Sequence, residues 1–303
     1  LINKGCPAFM NMSQDVATIA DEQDDKLNAS CFRMLEEIAR ELAGEVVFPT
    51  CFDAAFRLRR ELQNPQLPTT RIASVVSAEP LVAAKLIHLA NSAFYQHRGK
   101  PAANDLRAAI TRLGIDLVRT TALAVAMSQL LRSKELAPFS DFTRELWAHS
   151  LKSAAAAHSI ARAQTRINPD EALLAGLVHD LGAFYMLYRA VQCPELRARP
   201  DTLIALIALW HESIGVTLLN TLGIPDEIVE ATIDHDQPRA LPIPAQTLAD
   251  VVYVGNLIAA TPVEWWRPDL GGGEAEADGA RQSYAALLPE IDAATAAMQT
   301  VFC

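Results

Sequence analysis

The chain has 303 residues, half of them apolar, and a formal net charge of −10. That is enough apolar material for a sizeable core, and the acidic balance excludes a sequence-independent nucleic-acid binder, which needs a concentrated Lys/Arg surface. The five cysteines are widely spaced with no CxxC pair, which excludes a zinc ribbon and reads as reduced thiols.

The first stretch, to about residue 30, is polar and aperiodic and reads as a tail, with Met12 a candidate start. From Cys31 onward Phe32, Leu35, Ile38, Ala39 and Leu42 recur at helical spacing, and Gly44 is placed to end that helix. Glu79-Pro80 opens a helix with Val82, Leu86, Leu89 and Ala93 on one face. Leu106, Ile110 and Leu113 repeat the pattern up to Gly114. The segment from Ile115 to Leu131 is apolar nearly all round, as in the buried middle of a bundle.

An alanine-rich helix is expected from about Glu145 to Ala163. Asn168-Pro169-Asp170-Glu171 combines a capping side chain, a proline at the first helical position and acids favoured by the helix dipole, and the helix it starts carries His179-Asp180. Asp201 to Leu222 is a further long helix, and Ile224-Pro225-Asp226 starts one holding Ile228, Thr232 and His235. Pro242 and Pro244 precede a helix through Asp250. Gly271-Gly272-Gly273 and the acids after them read as a flexible connector before a last helix, Ser283 to Thr300. Abundant Ala and Leu, few aromatics and no hairpin signal give an all-α, multi-helix bundle as the expected fold class. The longest apolar run, Leu203 to Trp210, falls short of the roughly 18 residues of a membrane span, and no signal peptide is apparent, so a cytoplasmic location is expected.

The sharpest chemical signal is His179-Asp180, two adjacent polar residues where apolar neighbours are the default. Side chains one apart on a helix splay by about 100°, so both need polar partners if buried. His149, His211 and Asp250 are available at inward-looking positions, Asp250 because it shares a face with Val254 and Leu257. His149, His179, Asp180 and Asp250 together offer two imidazoles and two carboxylates, a set suited to a divalent metal that leaves positions open for water or a phosphate oxygen. His211 and His235 are candidates for contacting a ligand. Each of these residues also has a plainer reading as a core side chain satisfied by its neighbours, and H…HD…D alone does not decide between them. No phosphate-binding glycine loop and no nucleophile turn are present.

Ile72 to Tyr95, with Asn91-Ser92 its most specific part, resembles the signature of HDOD domains. Ala108 to Gly114, Leu146-Trp147-Ala148-His149-Ser150, Ala175 to Gly182, and Leu222-Gly223-Ile224-Pro225 leading to His235 resemble the family's later blocks in order. The resemblance implies an HDOD domain over 45–262, with an N-terminal helical lobe (45–135) and an HD-like lobe (136–262). It is flanked by a tail and helix (1–44) and by a Gly-rich connector and C-terminal helix (263–303).

HDOD domains are relatives of the HD phosphohydrolases regarded as regulatory output modules of bacterial signalling. The resemblance therefore implies a non-catalytic module acting through signalling proteins or a small ligand, without nucleic acid or membrane and compatible with a homodimer. A metal-dependent phosphohydrolase is the alternative, because His149, His179, Asp180 and Asp250 fall where the HD quartet would, with iron, manganese, nickel, zinc or magnesium as the ion. Two departures count against cyclic-dinucleotide hydrolysis: the Gly-Tyr-Pro element is missing, and Asp236 stands where a second histidine often follows His235.

Overall fold

A computed structural model describes residues 25–43, 52–62, 64, 66–92, 94–95, 101–132, 134–259 and 273–302. Among them there is no strand, and the fold is an all-α bundle. The N-terminal part contains α1 (Asp25–Ala43), α2 (Asp53–Glu61), α3 (Thr69–Val76), α4 (Pro80–Ala90) and α5 (Leu106–Leu131). After a 3-10 turn come α6 (Ser140–Gln164), α7 (Pro169–Val178), α8 (Leu181–Ala190), the one-turn α9 (Pro194–Arg197), α10 (Pro200–Thr221), α11 (Asp226–Ala231) and α12 (Leu248–Ala259). The chain closes with α13 (Gly273–Ser283) and α14 (Leu288–Phe302).

Local sequence accounts for most of these boundaries. The Asn168 side chain accepts a hydrogen bond from the Asp170 N–H, and Pro169 occupies the first turn of α7. Asp105 caps α5 in the same way, through the Ala108 N–H. Gly114, at φ +82°, breaks α5 into two segments, and the second is buried almost throughout, as its all-round apolarity predicts.

Several features differ from expectation, among them the last helix, which begins at Leu288 rather than Ser283. In α1 the buried stripe is Cys31, Met34, Leu35 and Ile38, whereas Phe32 lies one position off that stripe and is 42% exposed. The helix bearing His149 starts five residues before Glu145, at Ser140. The acidic segment read as a connector is the helix α13, anchored by buried Ala277 and Ala280. Gly271 and Gly272 lie outside the described residues.

Asn91 is a brace: its amide donates to the Ala103 carbonyl and accepts from the Ala103 N–H, pinning the chain that enters α5. Arg112 binds the Ala90 and Pro101 carbonyls beside it, and Arg119 binds Asp116 and the Leu62 carbonyl, so neither arginine serves the HD-like lobe. Helix α10 is long and apolar enough to cross a membrane by length and composition, contrary to expectation. Half of its apolar window is buried, however, and it packs on α8, α9 and α11 as a core helix.

Helix α14 runs along both parts of the molecule. At its start Glu290 and Asp292 pair with Arg162 and Lys152 of α6 at 2.6 and 3.7 Å. At its end the Phe302 carbonyl accepts from Ser128 Oγ and Arg132 of α5, at 2.6 and 3.2 Å, and the Val301 carbonyl accepts from Lys85 of α4. Phe302 itself is buried edge-on against Trp147. Phe302→Ala should therefore lower stability by about 3 kcal/mol. Because α14 touches both parts, urea unfolding followed by tryptophan fluorescence and by circular dichroism should still give one coincident transition; separate transitions would show that the helix does not couple them.

Candidate metal centre

Small residues let helices α6, α7, α8, α10 and α12 approach closely enough to bring their polar side chains together. The Ser153–Ala157 stripe of α6 faces Gly176 of α7, where a Cβ would lie 2.9 Å from the Ala154 Cα. Gly182, two residues after Asp180, packs on α10 with no room for a side chain: a Cβ there would fall 1.9 Å from the His211 carbonyl oxygen. These contacts fix His149 and His179 on one side and His211 on the other.

The His179-Asp180 pair is not inside a helix, as its sequence context suggests. His179 is the C-cap of α7 and Asp180 the N-cap of α8, so the pair sits at a sharp helix–helix junction and both side chains turn to the same side. Both are fully buried, as are His149, His211 and His235. His235 follows α11 in a turn whose Asp234 has φ +57°, a left-handed conformation held by a hydrogen bond from the Asp234 N–H to Glu212 Oε2 at 2.9 Å.

The side chains converge in two sets that share Asp180. His149 and His179 bring their Nε2 atoms to 3.2 Å from each other, and to 3.6 and 3.2 Å from Asp180 Oδ2. His211 and His235 likewise bring their Nε2 atoms to 3.2 Å, and to 3.7 and 3.4 Å from Asp180 Oδ1. Asp236 Oδ2 joins the second set, 3.2 Å from His211 Nε2 and 3.6 Å from His235 Nε2. Donor atoms sharing one ion at about 2.1 Å stand about 3.0–3.5 Å apart, so each set has the spacing of a coordination shell.

Protonation follows from the outer nitrogens. His179 Nδ1 lies 2.9 Å from the Gly176 carbonyl, His211 Nδ1 2.8 Å from that of Ile207, and His235 Nδ1 2.7 Å from that of Thr232. A carbonyl only accepts, so each Nδ1 carries the proton, and in the neutral ring the Nε2 lone pair points inward. Lone pairs and carboxylate oxygens thus face one another in a closed space, and neither oxygen of Asp180 has a hydrogen-bond partner. A cation resolves that arrangement.

With no ion present, protons on part of the imidazole set supply the positive charge that an ion would otherwise bring. Burial pushes the Asp180 carboxyl up, and the facing His179, His235 and His149 more than reverse it, holding it well below the usual range. Burial holds His149 down to about 4, against the pull of Asp180. For His235 burial is outweighed by Asp236 and Asp180, which raise it to about 10, and Asp236 and Asp180 also raise His211.

Asp250, expected among the ligands, belongs to neither set. It lies in the first turn of α12, where its Oδ2 accepts from the Gln246 and Thr247 N–H groups while its own N–H donates to Thr247 Oγ1, a reciprocal capping box. Arg239 lies 3.4 Å from its other oxygen. The shared face with Val254 is real, but at a helix start the unpaired N–H groups claim the carboxylate first.

His211 and His235, expected only as ligand contacts, stand instead in the second set. Asp236 was missed, and its signal is visible in retrospect: His235-Asp236 repeats the dipeptide His179-Asp180. Asn256 orients it, donating from Nδ2 to Asp236 Oδ1 at 2.9 Å and to the His235 carbonyl at 3.1 Å, which leaves Oδ2 to face the imidazoles.

The HDOD domain model matches residues 48–238, a span that contains all six converging side chains and excludes Asp250. A crystal structure from Shewanella amazonensis SB2B, provisionally called a metal-dependent phosphohydrolase, is 22% identical and superposes with a TM-score of 0.67 over 89% of this chain and 99% of its own. An HDOD domain protein of unknown function from Geobacter sulfurreducens is 23% identical, with a TM-score of 0.55 over 86% of this chain and 96% of its own. A curated but uncharacterized protein of Treponema pallidum is 21% identical over 271 residues, 82% of this chain and 50% of its own. The chain thus spans about half the length of the curated relative it matches.

Two substitutions separate ligand from cap. Burial would raise Asp250, but the backbone N–H groups, Thr247 and Arg239 hold it below its ordinary value; a lowered folded-state pKa contributes stability above the unfolded value and loses it as pH falls through the folded one. Asp250→Asn should therefore cost about 1 kcal/mol at pH 7. The difference from wild type should shrink to nothing in strong acid, and metal content should be unchanged. Gly182→Ala, which displaces the α10 backbone at His211, should cost about 3 kcal/mol or more in chemical denaturation; a neutral result would mean that α8 and α10 are not locked together.

Proposed function

The chain belongs to the HDOD domain family, and from that premise we propose that it is a regulatory output module whose HD-like lobe holds divalent metal at His149, His179, Asp180, His211, His235 and Asp236. The observation that carries the metal is Asp180: a fully buried carboxylate with no hydrogen-bond partner on either oxygen, facing four imidazole nitrogens. A buried charge left uncompensated costs several kcal/mol, about 3–5 when a partner is removed. With four imidazoles beside two carboxylates, the donors suit iron, manganese, nickel or zinc better than magnesium, which demands oxygen.

The regulatory part of the reading is supported by the family and by the enclosure of the centre, with all four histidines and Asp180 buried. In this reading the module works in the bacterial cytoplasm and passes its state to a signalling protein through its surface. A second reading, a metal-dependent phosphohydrolase, is favoured by the donor set and by the name given to the Shewanella relative. When bound, a divalent ion would supply Lewis acidity toward a phosphoryl oxygen. This chain's own residues would hold that ion and, through Asn256 and Glu212, fix the turn that presents His235 and Asp236.

Elemental analysis of untagged protein tests the first reading. Stoichiometric transition metal in the wild type, reduced at least tenfold in His179→Ala, is expected; wild type that stays metal-free after incubation with iron, manganese, nickel and zinc salts would overturn it. A phosphomonoester and phosphodiester panel decides the second, where metal-dependent turnover abolished by Asp180→Asn would move the assignment to a hydrolase.

A further inference from the structure

Helix α1 stands before the family-matched span, which begins at residue 48. It is amphipathic, and its buried stripe of Cys31, Met34, Leu35 and Ile38 packs on α8, α9 and α10. Beside that stripe Glu37 and Glu41, one turn apart, reach across to α8. Arg189 Nη2 lies 2.9 Å from Glu37 Oε2, its Nη1 binds Glu41 Oε1, and Tyr185 donates to Glu41 Oε2 at 2.6 Å. The Arg189 side chain is 12% exposed and Tyr185 is buried, so a cation and a hydroxyl sit in an apolar groove and both are answered by carboxylates of α1. The floor of the groove belongs to helices that also build the metal centre: α8 starts at the residue after Asp180, and α10 carries His211.

Resting on the regulatory reading above, we propose that the groove on α8, α9 and α10 is a docking site for an acidic amphipathic helix of a partner protein, and that α1 covers it as an internal competitor. The partner helix presents apolar side chains at the spacing of Cys31, Met34, Leu35 and Ile38, with two carboxylates placed as Glu37 and Glu41 are. Charge selects this occupant: a helix without the carboxylates leaves the largely buried Arg189 guanidinium unpaired, and a basic one adds like charge beside it. Release of α1 alone uncovers Met34, Leu35 and Ile38, each at most 1% exposed, together with the groove they fill, so α1 leaves when an equivalent helix takes its place. The apolar contacts give affinity, and the Arg189 pairs fix register.

The test uses the whole chain and an isotope-labelled peptide with the sequence of residues 25–43. Glu37→Gln together with Glu41→Gln weakens α1 and leaves the peptide intact, so the doubly substituted chain should capture the peptide about tenfold more tightly than wild type does. Adding Arg189→Gln removes the peptide's advantage, and affinity should return to the wild-type level or below. On the unmodified chain, excess peptide should speed hydrogen exchange in α1 about tenfold while α8 and α10 stay protected, a readout that depends on no variant folding. No capture by the doubly substituted chain, capture indifferent to Arg189→Gln, or unchanged exchange in α1 would overturn the groove. Dimers that form in place of capture would give the groove to a second copy of this chain and overturn the partner helix. None of these outcomes turns on metal content or phosphoester turnover, which decide the regulatory reading itself.

Discussion

The buried carboxylate of Asp180 is the constraint around which helices α6 to α12 are organised. A charge with no hydrogen-bond partner in the interior is tolerated only where opposite charge is supplied. Everything nearby is arranged to supply it. Asp180 interrupts the helical path between α7 and α8, and the junction turns its two oxygens toward separate pairs of imidazoles. Three of those imidazoles are fixed by backbone carbonyls of their own or an adjacent turn, so their inward nitrogens are set before any ion arrives. The glycine at 182 is part of the same arrangement, because without it α10 could not bring His211 alongside.

The helices were largely legible in the sequence because their signals are local. Asn168-Pro169, Glu79-Pro80, the Gly114 break and the apolar second half of α5 each depend on a few neighbouring residues, and the structure places them as those residues dictate. The candidate site was legible in part, for a related reason. His149 and the His179-Asp180 pair stand out as polar residues in apolar surroundings, and they do converge. What the sequence could not convey was the competition between local and tertiary partners. Asp250 looked inward on a helical wheel, but a wheel treats a first-turn residue like an interior one and ignores the free N–H groups that bind it. Asp236 looked like the loss of a histidine, and only the fold shows its oxygen beside His211. The acidic stretch in α13 reads as a flexible connector for the opposite reason: its charges mask Ala277 and Ala280, which are buried in the helix.

The kind of protein the centre serves is set by its own side chains. Likeness at 22–23% identity establishes the shared helical architecture with the Shewanella and Geobacter proteins, and the chemistry must come from this chain. Four imidazoles and two carboxylates give a nitrogen-rich set of donors, and such a site needs an opening for a substrate before it becomes a catalyst. Its accessible edge is made of the acidic residues Asp236, Glu212 and Asp234.

The regulatory reading proposed above also needs a connection from the site to the rest of the molecule. His235 and Asp236 lie on the turn after α11, which Asn256 ties to α12 and Glu212 ties to α10, so any change in that turn is felt by two core helices at once. Helix α12 packs on α6 and α7, and α6 in turn carries the salt bridges that hold the start of α14. The far end of α14 is gripped by Lys85, Ser128 and Arg132 from the N-terminal helices. Tightly packed helices shift as bodies rather than deform continuously. In the regulatory reading proposed above, a shift of that turn would be felt in the packing of α12 on α6, and through α14 in the seating of the N-terminal helices. That path is one of packed helices and paired charges, and it runs from the candidate metal centre to the N-terminal helices.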